Sequence, residues 1–118
     1  MSSYNASVPI YLQVVHSIKE KIATGKISPG DKLPSGRELA LQYTINPNTA
    51  ARVYQTLEQE QLLFTKRGLG SFVTEDTDRI ALIKEEMAQE LLAAFLEGIE
   101  RLGIPLEDAI EMIKKKEG

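Results

Sequence analysis

Ser35-Gly36-Arg37-Glu38-Leu39-Ala40-Leu41-Gln42-Tyr43-Thr44-Ile45-Asn46-Pro47-Asn48-Thr49-Ala50-Ala51-Arg52-Val53-Tyr54 holds two helix starts only eleven residues apart. Ser35 and Glu38 have capping-box spacing, in which each side chain satisfies the other residue's backbone N–H. Asn46-Pro47 announces a second start: asparagine caps, and proline suits a first turn where its missing N–H costs nothing. The helix between them is short, with Leu39, Ala40 and Tyr43 as its apolar face and Thr44-Ile45 as the turn that ends it.

The helix from Pro47 to about Gln61 is divided lengthwise. At 100° per residue Ala50, Val53, Tyr54 and Leu57 share one narrow arc, which is core. Asn48, Arg52, Gln55 and Gln59 fall on the opposite side, with Thr49 and Thr56 on one flank and Ala51 on the other. That exposed face is long, polar and uncrowded.

Upstream, Pro9 opens a helix that runs to Gly25, a left-handed stop. Tyr11, Val15, Ile18 and Ile22 form its inner stripe, widened by Leu12 and Val14. Ser28-Pro29-Gly30-Asp31 is a turn, and Lys32-Leu33-Pro34 reads as a brief strand. Downstream, Leu63-Phe64-Thr65-Lys66 and Ser71-Phe72-Val73-Thr74 flank Arg67-Gly68-Leu69-Gly70, a hairpin with a basic, glycine-bearing tip.

Helix, short helix, polar-faced third helix and basic hairpin, in that order, describe a winged helix-turn-helix. A DNA major groove about 12 Å wide admits such a third helix, with Asn48 and Thr49 in the turn that enters first. Arg52, one turn on, either reads guanine through two parallel hydrogen bonds or grips a phosphate. Arg37 would cross the backbone beside the groove, and Lys66 and Arg67 would approach phosphate or the minor groove. The alternative for Arg37, Lys66 and Arg67 is ordinary surface pairing with carboxylates.

Leu33-Pro34-Ser35-Gly36-Arg37-Glu38-Leu39-Ala40 and Gly68-Leu69-Gly70-Ser71-Phe72-Val73 resemble the signatures of GntR-family transcriptional regulators. The resemblance spans about residues 8 to 74. Ile45-Asn46-Pro47-Asn48-Thr49, with Arg52 and Tyr54, is similar to the short YtrA-like branch. The resemblance implies operator contacts for Arg37, Asn48, Thr49, Arg52, Arg67 and Gly68, and repression of a nearby operon, often one encoding a transporter. Two positions depart from many relatives: Pro47 stands where arginine is frequent, and Leu69 separates glycines where a basic residue is common.

From Glu75 the patterning changes. A long helix to Leu102 ends at Gly103, and a second runs from Pro105 to about Lys116. Ile80, Ile83, Met87 and Leu91 form one stripe of the long helix; Leu92, Phe95, Ile99 and Leu102 form another. Residues 79 to 102 extend roughly 36 Å at 1.5 Å each, longer than so small a head covers. Leu106, Ala109, Ile110, Met112 and Ile113 add an apolar face to the last helix, so a helical hairpin from each of two subunits would pair into a bundle. The expected dimer contacts are Met87, Leu91, Leu92, Phe95, Ile99, Leu102, Ile110 and Ile113. A C-terminal dimerisation region in place of a large effector domain is also what the YtrA-like resemblance implies, with no roomy ligand pocket. A twofold dimer would read an inverted repeat, its half-sites about 34 Å apart.

The expected organisation is therefore mainly α with a small β-hairpin: a disordered start over 1–7, a DNA-binding winged helix-turn-helix over 8–74 and a helical dimerisation region over 75–118. Disorder is expected only at the first residues and the last few. Residues 1 to 74 carry eight Lys or Arg against five Asp or Glu, a net of +3, whereas residues 75 to 118 carry six against twelve, a net of −6. The whole chain of 118 residues is at −3, but the charge that matters is on the surface approaching phosphate.

With no cysteine, neither a Cys/His zinc site nor a Cys/His catalytic set can be assembled, and any Ser/His set would have to use the single histidine, His16. An enzyme is disfavoured, no metal or cofactor is implied, and His16 reads as a surface or partly buried helix residue. No apolar run is long enough to span a membrane, and no secretory signal opens the chain, which points to a cytoplasmic protein. The sequence names no small-molecule effector. The rival function is a winged helix that serves as a protein-interaction module, which would not need Asn48 and Arg52 on one clean face.

Overall fold

The structure, a computed structural model, describes residues 7–118; the expected disordered start over 1–7 lies outside them except for Ser7. The elements in chain order are α1 (Ile10–Ala23), α2 (Gly36–Tyr43), α3 (Pro47–Gln59), β1 (Leu63–Lys66), β2 (Gly70–Val73), α4 (Thr77–Arg101) and α5 (Leu106–Glu117). They fall into two compact units that meet in sequence between Lys84 and Glu85.

The first unit has one core, built where α1, α2 and α3 pack together and the hairpin follows α3. Val14, Val15, Ile18 and Ile22 enter it from α1, Leu39 and Ala40 from α2, and Ala50, Val53 and Leu57 from α3. Leu33, Leu62, Leu63, Val73 and Ile83 complete it. Truncating a fully buried leucine such as Leu57 to alanine would cost about 2–5 kcal/mol, because lost transfer energy and an unfilled hole add.

Two members of the expected α1 stripe are not buried with the rest. Leu12 is exposed because at 100° per residue it lies about 90° from the middle of the arc of Val15 and Ile18, whereas Tyr11 lies inside that arc but in the first turn of the helix, where it is only half-buried. The polar side of α1 reaches the end of α3 through Lys19, whose Nζ lies 2.8 Å from the Glu60 carboxylate.

The capping box is present in full. The Glu38 N–H donates to Ser35 Oγ at 3.1 Å and the Ser35 N–H donates to Glu38 Oε1 at 2.8 Å. Donation to its carboxylate by the Ser35 backbone N–H first, and then by the Ser35 hydroxyl, holds the Glu38 carboxyl below its ordinary pKa of 4.5. α2 then ends at Thr44 in the left-handed conformation, φ 55°, and the chain is re-capped two residues on, where the Asn48 N–H donates to Asn46 Oδ1 at 2.7 Å.

α3 stops two residues short of the expected Gln61. Gln61 itself is left-handed at φ 62°, and the Leu62 N–H turns back to the Leu57 carbonyl at 3.0 Å. A polar residue has taken the conformation that glycine usually supplies, so the stop carries no signature in the sequence.

β1 and β2 pair antiparallel in the register Leu63↔Val73, Phe64↔Phe72, Thr65↔Ser71 and Lys66↔Gly70. Gly70 thus belongs to the strand and not to the tip. The expected brief strand near Lys32 is a single bridge, Lys32↔Phe72, reinforced by the Leu33 N–H on the Ser71 carbonyl at 2.8 Å and the Val73 N–H on the Asp31 carbonyl at 2.9 Å. The segment before α2 is therefore stitched to the hairpin that follows α3.

The first two turns of α4 belong to the first unit. Asp76 caps them, its Oδ1 accepting from the Asp78 and Arg79 N–H groups, and the Arg79 Nε–H donates to the Glu60 carbonyl at 2.8 Å. Ile83 is fully buried.

In the second unit Ala109 is the one buried residue among those described. Of the expected dimer contacts, Met87 and Ile99 are half-buried, while Leu91, Leu92, Phe95, Leu102, Ile110 and Ile113 are exposed. The expected fraying of the last residues is not seen: α5 runs to Glu117, and the Gly118 N–H still reaches the Lys114 carbonyl at 2.8 Å. Lys114, Lys115 and Lys116 sit at its C-terminal end, where the helix dipole favours cations.

Ser35→Ala removes one half of the reciprocal cap at the start of α2 and is expected to cost about 1 kcal/mol. Urea unfolding followed by circular dichroism checks this; an unchanged midpoint would mean that the box contributes nothing.

Candidate nucleic-acid interface

The polar side of α3 is fixed by the side opposite. Ala50, Val53 and Leu57 each expose 0% of their surface, so the helix cannot roll about its axis without opening the core. Asn48, Ala51, Arg52, Gln55 and Gln59 then face water, and Thr49 is half-buried on the flank. Tyr54 turns away from this face and donates from its hydroxyl to the Pro34 carbonyl at 2.6 Å, which ties α3 to the segment before α2. Burial, with Glu38 and Tyr43 adding to it, pushes the Tyr54 phenol up to about 12, so it stays a proton donor.

Arg52 is less free than the sequence suggests. Its guanidinium carbon lies 3.8 Å from the centre of the Tyr11 ring, and Nη2 donates to the Tyr11 hydroxyl at 3.2 Å. Periodicity assigned Tyr11 to the core and missed this contact. The available signal was the phenol itself, whose O–H seeks a polar partner when the ring is only part-buried.

Arg37 stands exposed in the first turn of α2, without an ion pair among the described residues. α2 packs on α3, so Arg37 sits beside the helix that bears Asn48, Thr49 and Arg52. Lys66, Arg67 and Gly68 are on a separate element, the hairpin, joined to α3 through Leu62.

The hairpin is built to carry its charge outward. Phe64 and Phe72 stack across the strands with centroids 5.7 Å apart, and Lys66 Nζ lies 5.7 and 5.3 Å from their rings. At the tip the Leu69 N–H closes a turn on the Lys66 carbonyl at 2.9 Å, with Gly68 at φ +80°. A side chain at Gly68 would meet nothing but would be strained by that angle, so glycine here serves backbone shape. Gly70, at φ +117°, is also crowded: a Cβ there would lie 3.0 Å from Lys32 Cε. Arg67 and Leu69 project from this turn, both exposed.

An open cleft of about 470 Å³ lies on the head, lined by Lys21, Asp31, Lys32, Gln42, Tyr43 and Tyr54 among others, whereas the YtrA-like resemblance implied no roomy ligand pocket. Its tyrosine hydroxyls are already engaged: Tyr43 by Ser17 and Lys21, and Tyr54 by Pro34. His16 is an exposed α1 residue 3.1 Å from Glu20.

The arrangement offers a groove-sized polar helix face, flanking cations and a basic hairpin tip, all set on one small core. Comparison with known proteins agrees with it. The family model described as bacterial regulatory proteins, gntR family, matches residues 10–73. The HTH-type transcriptional repressor YtrA of Bacillus subtilis (strain 168) is 38% identical over 116 residues, covering 93% of this chain and 85% of the relative. A GntR family transcriptional regulator from Listeria monocytogenes superimposes with a TM-score of 0.88 at 41% identity, covering 95% of this chain and 98% of that one. The DNA-binding domain of AraR, solved in complex with operator ORX1, matches 63% of this chain and 92% of its own length at 30% identity, with a TM-score of 0.56. A match that spans α1 through β2, together with near full-length likeness to YtrA and to the Listeria regulator, places the chain in the GntR family of bacterial regulatory proteins.

Proposed function

We propose that this protein is a cytoplasmic transcriptional repressor that binds an inverted-repeat operator as a homodimer, with α3 in the major groove and the hairpin on the backbone or minor groove. The observation that carries this reading is the polar face of α3, held to one orientation by residues with no exposed surface on the other side. AraR, which shares the head's fold, was solved on operator DNA, and YtrA is named a repressor; both support the same use of this head. Asn48 and Thr49 would approach base edges first, Arg52 would follow one turn later, and Arg37, Lys66, Arg67 and the Gly68 turn would meet the backbone.

The dimer rests on the second unit. Residues 85–118 number fewer than the roughly 40 below which a chain seldom folds without help, and their apolar side chains are mostly exposed. Leu91 is 70% exposed and Leu102 74%, a cost that a second copy would remove by burying both. Met87, Leu92, Phe95, Ile99, Ile110 and Ile113 would join them in a bundle.

Three expectations test this reading. With three phosphate-facing cations per subunit, a dimer neutralising about six phosphates would lose about a thousandfold in affinity between 50 and 200 mM salt, read by mobility shift; a flat response would favour the protein-interaction rival. Arg52→Ala is expected to erase preference at one base-pair position, worth about 1–3 kcal/mol, while the dimer persists. Leu91→Glu with Phe95→Glu is expected to give monomers in sedimentation equilibrium while the head keeps its helical signal; intact dimers would refute this assignment of the interface.

A further inference from the structure

We propose that Tyr11, on the helix outside the two-helix motif, is a positioning residue that sets the base preference of Arg52. This rests on the proposed reading of DNA by α3. Tyr11 is the second residue of α1, 41 positions before Arg52, and it offers that arginine both a ring face at 3.8 Å and a hydroxyl at 3.2 Å.

The two contacts do different things. The ring fixes the plane of the guanidinium, and the hydroxyl fixes its rotation within that plane. One N–H is spent on Tyr11, and four of the five donors remain for a base or a phosphate. Two parallel donors are what guanine recognition in the major groove requires, and the orientation of that pair decides which base edge it meets.

The choice of tyrosine matters. A carboxylate would hold an arginine equally well but would cancel its charge before DNA arrived. A phenol orients the guanidinium and leaves it cationic, and among the described residues Arg52 has no ion pair. Arginine is otherwise rich in rotamers, and freezing it on binding weakens a contact. Here the freezing is done in the free protein, by a side chain whose own helix is locked into the core through Val14, Val15 and Ile18.

The contact also explains why Tyr11 is only half-buried. A residue serving the core alone at this N-terminal end of the stripe would gain nothing from a hydroxyl. One that must reach the solvent side of a neighbouring helix needs a rigid ring with a polar end.

The test uses the full chain and duplexes selected by the wild-type protein from a random pool, with each base pair of the selected site then varied. Arg52→Ala identifies the base pair that Arg52 reads. Tyr11→Leu is expected to lose about tenfold in discrimination at that same base pair and little elsewhere, whereas Tyr11→Phe, which keeps the ring, stays within about threefold of wild type. The double variant Tyr11→Leu/Arg52→Ala is expected to match Arg52→Ala alone.

The proposal is overturned if Tyr11→Leu keeps full discrimination, if its loss spreads evenly over all base pairs, if it adds to that of Arg52→Ala, or if Tyr11→Phe falls as far as Tyr11→Leu. Should Tyr11→Leu unfold, the wild-type protein still decides by NMR: the Arg52 side-chain protons are expected upfield of an unstructured arginine because of the ring current, and an unshifted position overturns the clamp. A wild-type chain that selects no sequence, or an Arg52→Ala chain that keeps every preference, would refute the reading of DNA by Arg52 itself and the clamp with it. Failure of the clamp alone is recognised by an Arg52-dependent preference that ignores Tyr11.

Discussion

A helix that must satisfy a core and, on the proposed reading, a groove at once has little freedom, and α3 is held to one orientation by three side chains. Ala50, Val53 and Leu57 are wholly buried, spaced three and four apart, and a rotation of even one residue's angle would bring a polar neighbour into their place. Everything outward on α3 inherits its direction from that constraint. The reciprocal cap at Ser35 and Glu38, the Asn46 cap and the Tyr54–Pro34 hydrogen bond then fix where the helix begins and what lies beside it. The candidate interface is thus a consequence of packing: its geometry is set by residues that never reach the solvent.

Features with a local cause were legible in the sequence. Ser35 with Glu38 and Asn46 with Pro47 act within a few residues, so the starts of α2 and α3 could be located from the chain alone. Hairpin and tail helices followed equally from strand-forming residues and apolar spacing. Features with a tertiary cause were not. Thr44 and Gln61 adopt left-handed backbone without glycine, because the turn between α2 and α3 and the joint before β1 leave no other path. Tyr11 belongs to the stripe by arithmetic and to Arg52 by contact, and nothing within one helix distinguishes the two. Lys32 over Gly70 is of the same kind, a close approach between segments far apart in sequence.

The site residues divide along the same line. That Asn48, Thr49 and Arg52 share a helix side follows from 100° per residue, and the sequence gives it without ambiguity. That Arg52 is held, while Arg37 and Arg67 stand free of ion pairs among the described residues, depends on what α1 and the hairpin bring near them. Three arginines that look alike in the chain therefore differ in their surroundings: one is held by a ring and a hydroxyl, and two are exposed without an ion pair among the described residues. Pre-orientation suits a contact that must discriminate between bases, and an unpaired, exposed cation suits one that meets a phosphate.

Charge makes the proposed dimer more than a symmetry argument. A head at +3 is weakly basic for a DNA-binding module, and its hairpin tip exposes Leu69 where a further cation would have strengthened phosphate attraction. One such head would hold DNA poorly and release it readily at cellular salt. Two heads joined through the tail would bind with an effective local concentration for the second contact, so that affinity comes from geometry in place of charge. Weak attraction by each head then becomes useful. Non-specific sites, which engage the phosphates but mismatch the half-site spacing or the bases, gain little, while a correctly spaced inverted repeat gains twice. The −6 carried by residues 75–118 fits that economy, because it lowers the pull of the whole chain on arbitrary DNA.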